Sequence, residues 1–258
     1  PAYPCVEGDA LLLADGVWSQ LRAGVLGDTS RQRVSGHLAY RALIPMADLP
    51  ADWRPHVVNV WLGPQLHAVH YPVRRGELLN LVVIVEGPAP EDLTQWDHAA
   101  NALQLARALQ GSCAALRDVV GSVEASGGQW RLWPLSDRAP LTGPQGMARG
   151  LVGLIGDAAH PMRPYLAQGA GMAIEDAAEL QRALAMADLD VSTRLRRYAL
   201  NRWQRNARVQ ARSIRNGEIF HATGPMRWGR DSALRLLGSR LMDVPWLYRG
   251  DGACATGW

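Results

Sequence analysis

Lysine is missing altogether. All 27 basic residues of this 258-residue chain are arginine, set against 24 acids for a formal net charge of +3. The arginines are spread out and interleaved with carboxylates, which excludes the concentrated basic patch of a nucleic-acid surface and reads instead as the codon usage of a GC-rich genome. Cysteine is scarce. Cys5, Cys113 and Cys254 are odd in number and far apart, fitting neither a disulfide framework nor a zinc motif, and a reducing cytoplasm is the expected setting. Long apolar runs are lacking too: stretches such as 81–85 and 151–155 fall far short of the roughly 20 residues that cross a bilayer, so no membrane span is expected. There is no signal-peptide pattern, and a chain opening on Pro1 is expected to begin partway through a longer protein. Phenylalanine occurs once against 10 tryptophans, a balance that makes a bulky core without marking a site.

What is present is a foldable chain, 48% hydrophobic, with length for one large or two modest domains. A short apolar run at 10–13 stops at Asp15-Gly16 and reads as a buried strand ending in a turn. Runs at 38–44, 57–62, 67–73 and 78–85, separated by Pro, Gly and Arg-Gly turns, predict an antiparallel sheet. Apolar residues at helical spacing over 93–109, among them Trp96, Ala99, Leu103 and Ala106, predict one helix leaning on that sheet, with a short strand following at 129–135. After Gly150 the character changes. A continuous apolar run at 151–155 has buried-strand length and feeds a loop, then a helix over 169–187. The arginine-rich stretch 192–213 predicts a long exposed helix, a solvated face or a subunit contact; Trp203 alone does not supply the interleaved aromatics of a nucleic-acid surface. The remainder is expected to be short helices broken at Gly224-Pro225 and Pro245.

The strand-loop-helix order sets Gly156-Asp157-Ala158-Ala159-His160-Pro161 at the carboxyl end of a strand, the edge where open α/β sheets bind ligands. A carboxylate at Asp157 can accept hydrogen bonds from a sugar or ribityl hydroxyl. Further on, Gly169-Ala170-Gly171 opens a helix whose unpaired N–H groups and positive dipole end suit an anion. Either half alone reads equally well as a turn cap and as small residues for close packing; together they describe a cofactor clamp. No second ligand lies at metal spacing from His160, which is expected to shape or cap the loop, and no metal is expected.

These residues also carry a family resemblance. The stretch 153–177, with GDAAHP in its turn and QGAGMAIEDA in its helix, closely resembles the second flavin motif of single-component, FAD-dependent aromatic-ring monooxygenases. Asp15-Gly16-Val17-Trp18-Ser19-Gln20-Leu21-Arg22 resembles the same family's DGxxSxxR motif, and the order of the two motifs agrees. Residues 36–45, Tyr71-Pro72-Val73-Arg74 and 216–231 look like the salicylate and hydroxybenzoate hydroxylase branch.

The resemblance implies an α/β (α+β) fold: a partial FAD domain like that of p-hydroxybenzoate hydroxylase at 1–33 and 140–187, an antiparallel-sheet substrate domain with a helix at 34–139, and a C-terminal helical region at 188–258. It implies FAD as cofactor, NADH or NADPH as co-substrate, and a small aromatic acid or phenol hydroxylated with molecular oxygen by way of a flavin hydroperoxide. Asp157, with Gly156 before it, would bind the ribityl chain; the backbone around Ala170, Gly171 and Met172 would face the pyrimidine edge; Asp15 and Arg22 would lie near the pyrophosphate. Pro164 and Tyr165 would line the substrate pocket, the tyrosine facing the ring. A homodimer is compatible with the family.

Strand alternation puts His67, Val69 and Tyr71 on one face and Ala68 and His70 on the other. His67 and Tyr71 stand about 13 Å apart in an ideal strand, able to bracket a small ring from opposite ends. A lone histidine on a sheet is commonly structural, and His70 is read so. For His67 the resemblance implies contact with the substrate phenol, and it is the expected base because an imidazole titrating near neutrality can take a phenolic proton.

One departure stands against the family pattern. No GxGxxG turn precedes Asp9, so the chain as given is expected to bind FAD poorly. Two other readings remain at this point: a truncated or split remnant that acts only as a binding or assembly module, and a flavin-dependent epoxidase or polyprenyl-ring hydroxylase.

Overall fold

Alternation along the strands builds the larger of two sheets in this molecule. The computed structural model describes residues 5, 7–27, 32–50, 53, 56–91, 98–99 and 102–248. Six strands, β2 (Arg33–Pro45), β3 (Asn59–Gly63), β4 (Leu66–Val73), β5 (Leu78–Glu86), β6 (His98–Ala99) and β7 (Arg131–Asp137), form an antiparallel sheet in the order β3-β4-β5-β2-β7-β6. Side chains at every second position of β2 (Leu38, Tyr40, Ala42, Ile44), β4 (Leu66, Ala68) and β5 (Leu79, Leu81, Val83, Val85) point to one face and are buried there. That face is covered by α2 (Ala102–Ala108) and α3 (Ala114–Ala125) through Leu105, Leu116, Val119 and Val123. Each fully buried leucine in this layer contributes about 2 kcal/mol of transfer free energy. The opposite face carries His67, Val69, Tyr71, Val82 and Ile84, and it looks into a cavity.

A second, three-stranded sheet is built from distant parts of the chain. β1 (Leu11–Leu13) runs parallel to β9 (Val152–Leu154), which pairs antiparallel with β8 (Ala148–Arg149). A short helix, α1 (Leu21–Leu26), follows the turn after β1, and α4 (Gly169–Leu184) follows the loop after β9. Then comes α5 (Val191–Phe220), capped at its start by Asp190, whose Oδ1 accepts the Thr193 N–H at 2.9 Å. The chain continues through α6 (Gly224–Leu237) and α7 (Pro245–Tyr248).

Several elements differ from the sequence reading. The predicted helix over 93–109 begins only at Ala102, and residues 98–99 pair instead with β7; positions 92–97, Trp96 among them, lie outside the described residues. The helix α3 was not anticipated, although Leu116, Val119 and Val123 recur at helical spacing along it. Gly224-Pro225 opens α6 instead of breaking a helix, because proline in the first turn has no N–H to lose. The largest correction concerns α5. Only one side of it is solvated: residues at helical spacing from Leu195 through Tyr198, Arg202, Asn206, Val209, Ser213 and Gly217 to Phe220 form a buried face. Among the described residues no helix is long and apolar enough to cross a membrane.

Candidate cofactor and substrate site

The loop between β9 and α4 shapes two adjoining surfaces. β9 runs into a tight turn, Gly156–Ala158, in which Gly156 takes φ +58°. A Cβ at this position would also stand 3.2 Å from the Ala173 Cβ on α4, so both backbone and packing require glycine. The turn leaves Asp157 exposed at the carboxyl edge of the three-stranded sheet. The start of α4 arrives at the same place, since a Cβ on Gly169 would lie 3.8 Å from Asp157 Oδ1. The N–H groups of Gly169, Ala170 and Gly171 belong to the first helical turn and have no intrahelical acceptor. A carboxylate able to accept from hydroxyls thus sits beside three N–H donors and a positive helix end.

Two residues expected of the clamp are buried. Met172 is a core residue: its N–H donates to the Gln168 carbonyl at 2.8 Å, and its side chain is fully buried in the cluster that contains Val209. Arg22 is buried as well, and its Nη1 donates to the carbonyls of Ala158 and Ala159, both at 2.8 Å. Its cation braces the turn that presents Asp157. Asp15 is exposed. Because Leu13 pairs with Leu154 in parallel register, Asp15 and Asp157 leave the sheet at the same edge.

Behind the turn lies a carboxylate that the sequence reading passed over. Asp176 on α4 has no solvent exposure and accepts from Gly156 N (3.1 Å), His160 Nε2 (2.5 Å), Arg202 Nε (2.9 Å) and Asn206 Nδ2 (3.0 Å). Burial pushes its carboxyl up, but the hydrogen bonds from His160, Asn206 and Arg202 outweigh this and hold it below the usual range. Neighbouring Glu175 pairs with Arg202 and Arg205. The available signal was Glu175-Asp176 in a helix of small residues, matched by Arg202, Arg205 and Asn206 at helical spacing further on. The loop-shaping role expected of His160 takes this form: it is clamped to Asp176.

The second surface is a cavity of about 770 Å³ on the open face of the six-stranded sheet, roofed by residues 164–167 and closed by α5 and α6. All four residues proposed from the sequence for substrate contact, His67, Tyr71, Pro164 and Tyr165, line it. α5 holds the roof through polar side chains: Gln210 Nε2 donates to Pro161 O (3.1 Å), Ser213 Oγ to Arg163 O (2.6 Å) and Asn216 Nδ2 to Tyr165 O (3.4 Å). Gly217 lets the Tyr165 ring in, because a Cβ there would come within 2.5 Å of Tyr165 Cε2. The walls are mostly apolar, but Arg41 and Arg212 also line the cavity, Arg41 with its guanidinium 4.0 Å from the centre of the Trp133 ring.

His67 departs from the neutral-pH base expected of it. It is 2% exposed, and burial together with His221 and His37 holds its pKa well below 6.5. Its Nδ1 is hydrogen-bonded to His221 Nε2 at 2.7 Å, and His221 Nδ1 meets Glu86 Oε1 at 3.2 Å. His37 stacks on His221 with ring centres 4.5 Å apart, and its Nδ1 is bonded to the Tyr165 hydroxyl. Burial pushes the Tyr165 phenol well up, and lowers both His37 and His221 to about 4. Neither His37 nor His221 stood out from the sequence, because they come from β2 and the end of α5 and meet only in the fold. His37, Glu86 and His221 also offer donor atoms within 4.8 Å of one another, a spacing a metal ion can use. Arg163 and Arg230 put positive charge beside His221, which opposes a cation there. His70, on the other face, packs against Trp53 and Trp61, and neither of its ring nitrogens has a hydrogen-bond partner among the described residues. It is a packed core histidine, not a hydrogen-bonded one.

Comparison with known proteins places this geometry among relatives. Residues 10–213 match the family model described as FAD binding domain. The chain is 36% identical over 245 residues to a 3-hydroxybenzoate 6-hydroxylase of Polaromonas naphthalenivorans, covering 94% of this chain and 58% of the relative. It is 36% identical over 248 residues to a 3-amino-4-hydroxybenzoate 2-monooxygenase of Streptomyces platensis, covering 96% of this chain and 60% of that one. Among solved structures, a salicylate hydroxylase in complex with substrate superposes with a TM-score of 0.78 at 27% identity, covering 95% of this chain and 62% of that structure. The chain therefore spans somewhat under two thirds of the length of these relatives.

Proposed function

The chain belongs to the FAD binding domain family of flavin-dependent aromatic hydroxylases, and on that premise we propose that the protein hydroxylates a small aromatic acid or phenol, using FAD, NADH or NADPH, and molecular oxygen. The observation that carries this reading is the junction at residues 156–169. One short loop carries the exposed carboxylate and helix start of a cofactor clamp, and also the roof of a cavity within the size range of small-molecule sites.

The residues present fit the ribityl and pyrimidine half of FAD. Asp157 would accept from ribityl hydroxyls, the N–H groups of Gly169, Ala170 and Gly171 would face the pyrimidine edge of the ring system and favour negative charge there, and Asp15 would stand near the pyrophosphate. The chemistry FAD supplies when bound is activation of oxygen with reducing equivalents from the nicotinamide. The rest is done by this chain. The apolar walls exclude water, Tyr165 and Pro164 hold the ring under the roof, and Arg41 and Arg212 favour a substrate carboxylate. His67 takes the phenolic proton, raising the electron density of the ring where oxygen is to be added, while Tyr71 bounds its far end.

The test uses the complete gene product loaded with FAD. Asp157→Ala should lower flavin retained after dialysis, and undiminished flavin content would remove its ribityl role. His67→Ala should slow ring hydroxylation by about 100-fold or more while leaving flavin reduction by the nicotinamide nearly as fast as before. Equal effects on both half-reactions would return His67 to a structural role. If the unsubstituted holoprotein shows no nicotinamide oxidation stimulated by any hydroxybenzoate, the proposed function itself is wrong.

A further inference from the structure

The cavity is longer than a single hydroxybenzoate needs. At one end His67, Tyr165 and Phe220 form an aromatic box, with ring centres 5.0 Å (His67 to Tyr165), 5.2 Å (His67 to Phe220) and 6.3 Å (Tyr165 to Phe220) apart. From there the space follows α5 back toward its start. Val244 lies on the cavity wall and belongs to the same buried cluster as Val209. Val209 precedes Phe220 by about three turns of helix, so the two ends of the wall stand about 16 Å apart, roughly twice the length of a hydroxybenzoate. Of the loop that shapes the cofactor clamp, only residues 164–167 reach the cavity; neither Asp157 nor Gly169–Gly171 lies on its wall. The extra length does not belong to the clamp.

Much of the remaining wall comes from α6. Met226, Gly229, Arg230, Ala233 and Leu234 recur at helical spacing and put one face of α6 on the cavity. Arg230 fastens that face in place: its Nη1 donates to the carbonyls of Ile219 (3.2 Å) and Phe220 (2.7 Å), and its Nε to Asp231. Its donors are thereby engaged, and the rest of the face is apolar or small. Gly229 leaves a recess, since a Cβ there would meet nothing within 4 Å. After α6, Leu241, Val244 and Tyr248 add more apolar wall. Met226 is 60% exposed, Leu241 38% and Tyr248 67%, so this side holds apolar surface that a ligand would take out of water. On β2 and α5, by contrast, Arg41 and Arg212 each have a buried Nε with no hydrogen-bond partner among the described residues, which suits an anion. The same cavity thus favours an acid on some walls and hydrocarbon on another.

We propose that the α6 side of the cavity is a subsite for an apolar substituent, so that the substrate is a phenolic acid whose ring also carries an alkyl chain or a second ring; this rests on the aromatic-hydroxylase reading above. The phenolic ring occupies the box of His67, Tyr165 and Phe220, its carboxylate faces the arginines, and the substituent lies along Gly229 and Ala233 toward Leu241. Cavities of about 300–1,000 Å³ enclose drug-sized ligands. An unsubstituted hydroxybenzoate would leave much of this one, of about 770 Å³, empty and its apolar face wet. A substituent displaces that water, and the attraction gained there, remote from the reacting carbon, helps to hold the ring in position.

The experiment measures Kd by isothermal titration calorimetry in the complete FAD-loaded protein, without nicotinamide and so without turnover. The ligands are 3-hydroxybenzoate and its 4-butyl and 5-butyl derivatives. At least one butyl derivative should bind at least about tenfold more tightly than the parent acid. Gly229→Leu fills the recess at a position inside α6 where leucine is a better helix former than glycine, so the variant is expected to fold. It should bring the ratio of the two Kd values back to near one, and Ala233→Leu, one turn further along the same face, should do the same. The ratio is the readout because a general loosening of the fold weakens both ligands together. If neither butyl derivative binds more tightly than 3-hydroxybenzoate, the subsite is overturned and the aromatic-hydroxylase reading stands. A ratio unchanged in both variants overturns its place beside α6. No binding of any of the three ligands removes the subsite and the reading it rests on.

Discussion

His37 and His221 give the protein a titration that can be read in its stability. Both are held to about 4, by burial first and then by neighbouring cations, against about 6.5 in an unfolded chain. Between those values the unfolded chain binds more protons than the folded one, so stability falls as pH drops from 6.5 toward 4 and is regained above 6.5. Urea midpoints measured across this range should decline with falling pH, and less steeply in His221→Gln; identical slopes would show that the cluster does not titrate as described. His67 and its face were legible in the sequence, because strand alternation alone sets which side chains share a side. The depressed basicity of His67 was not, since it arises first from burial and then from His221 and His37, which reach it from other elements.

At the scale of elements, α5 does the joining. Its buried stripe is largely polar because the loop it packs against presents backbone carbonyls that would otherwise lose their hydrogen bonds. That is also why hydropathy failed to reveal the stripe: an arginine-rich helix reads as solvated unless its carboxylate partners on α4 are known. Asp176→Asn removes the charge shared by four donors and leaves Arg202 with Glu175 as its remaining carboxylate, and it should cost about 3–5 kcal/mol by chemical denaturation. A loss well under 1 kcal/mol would show that the network is weaker than its geometry. The contribution of the depressed Asp176 carboxyl is present above about 3.9 and is lost as pH falls through its folded value, below the histidine window.

Over the whole molecule, the two sheets meet through the 156–169 loop, so whatever binds the clamp and whatever fills the cavity act on one segment. Filling the cavity should stabilise the fold by linkage, by about 2.7 kcal/mol at a ligand concentration one hundred times Kd. A hydroxybenzoate should therefore raise the melting temperature in a concentration-dependent way, and an aromatic lacking the carboxylate should raise it less, given Arg41 and Arg212 on the wall. Equal shifts for both would remove those arginines from substrate choice.

The sequence by itself determined which residues alternate across the sheet, where a strand yields to a glycine turn and a helix, and which two motifs bracket the clamp. Those features depend on local geometry, in which the periods of strand and helix and the conformational freedom of glycine operate over a few neighbours. Only the tertiary structure decided that Arg22 braces a turn, that Met172 is core, that α5 has a buried face, and that Glu86, His221 and His67 stand in line. Each of these depends on elements far apart in the chain coming together, and the strength of a charge or a hydrogen bond is set by the burial that results.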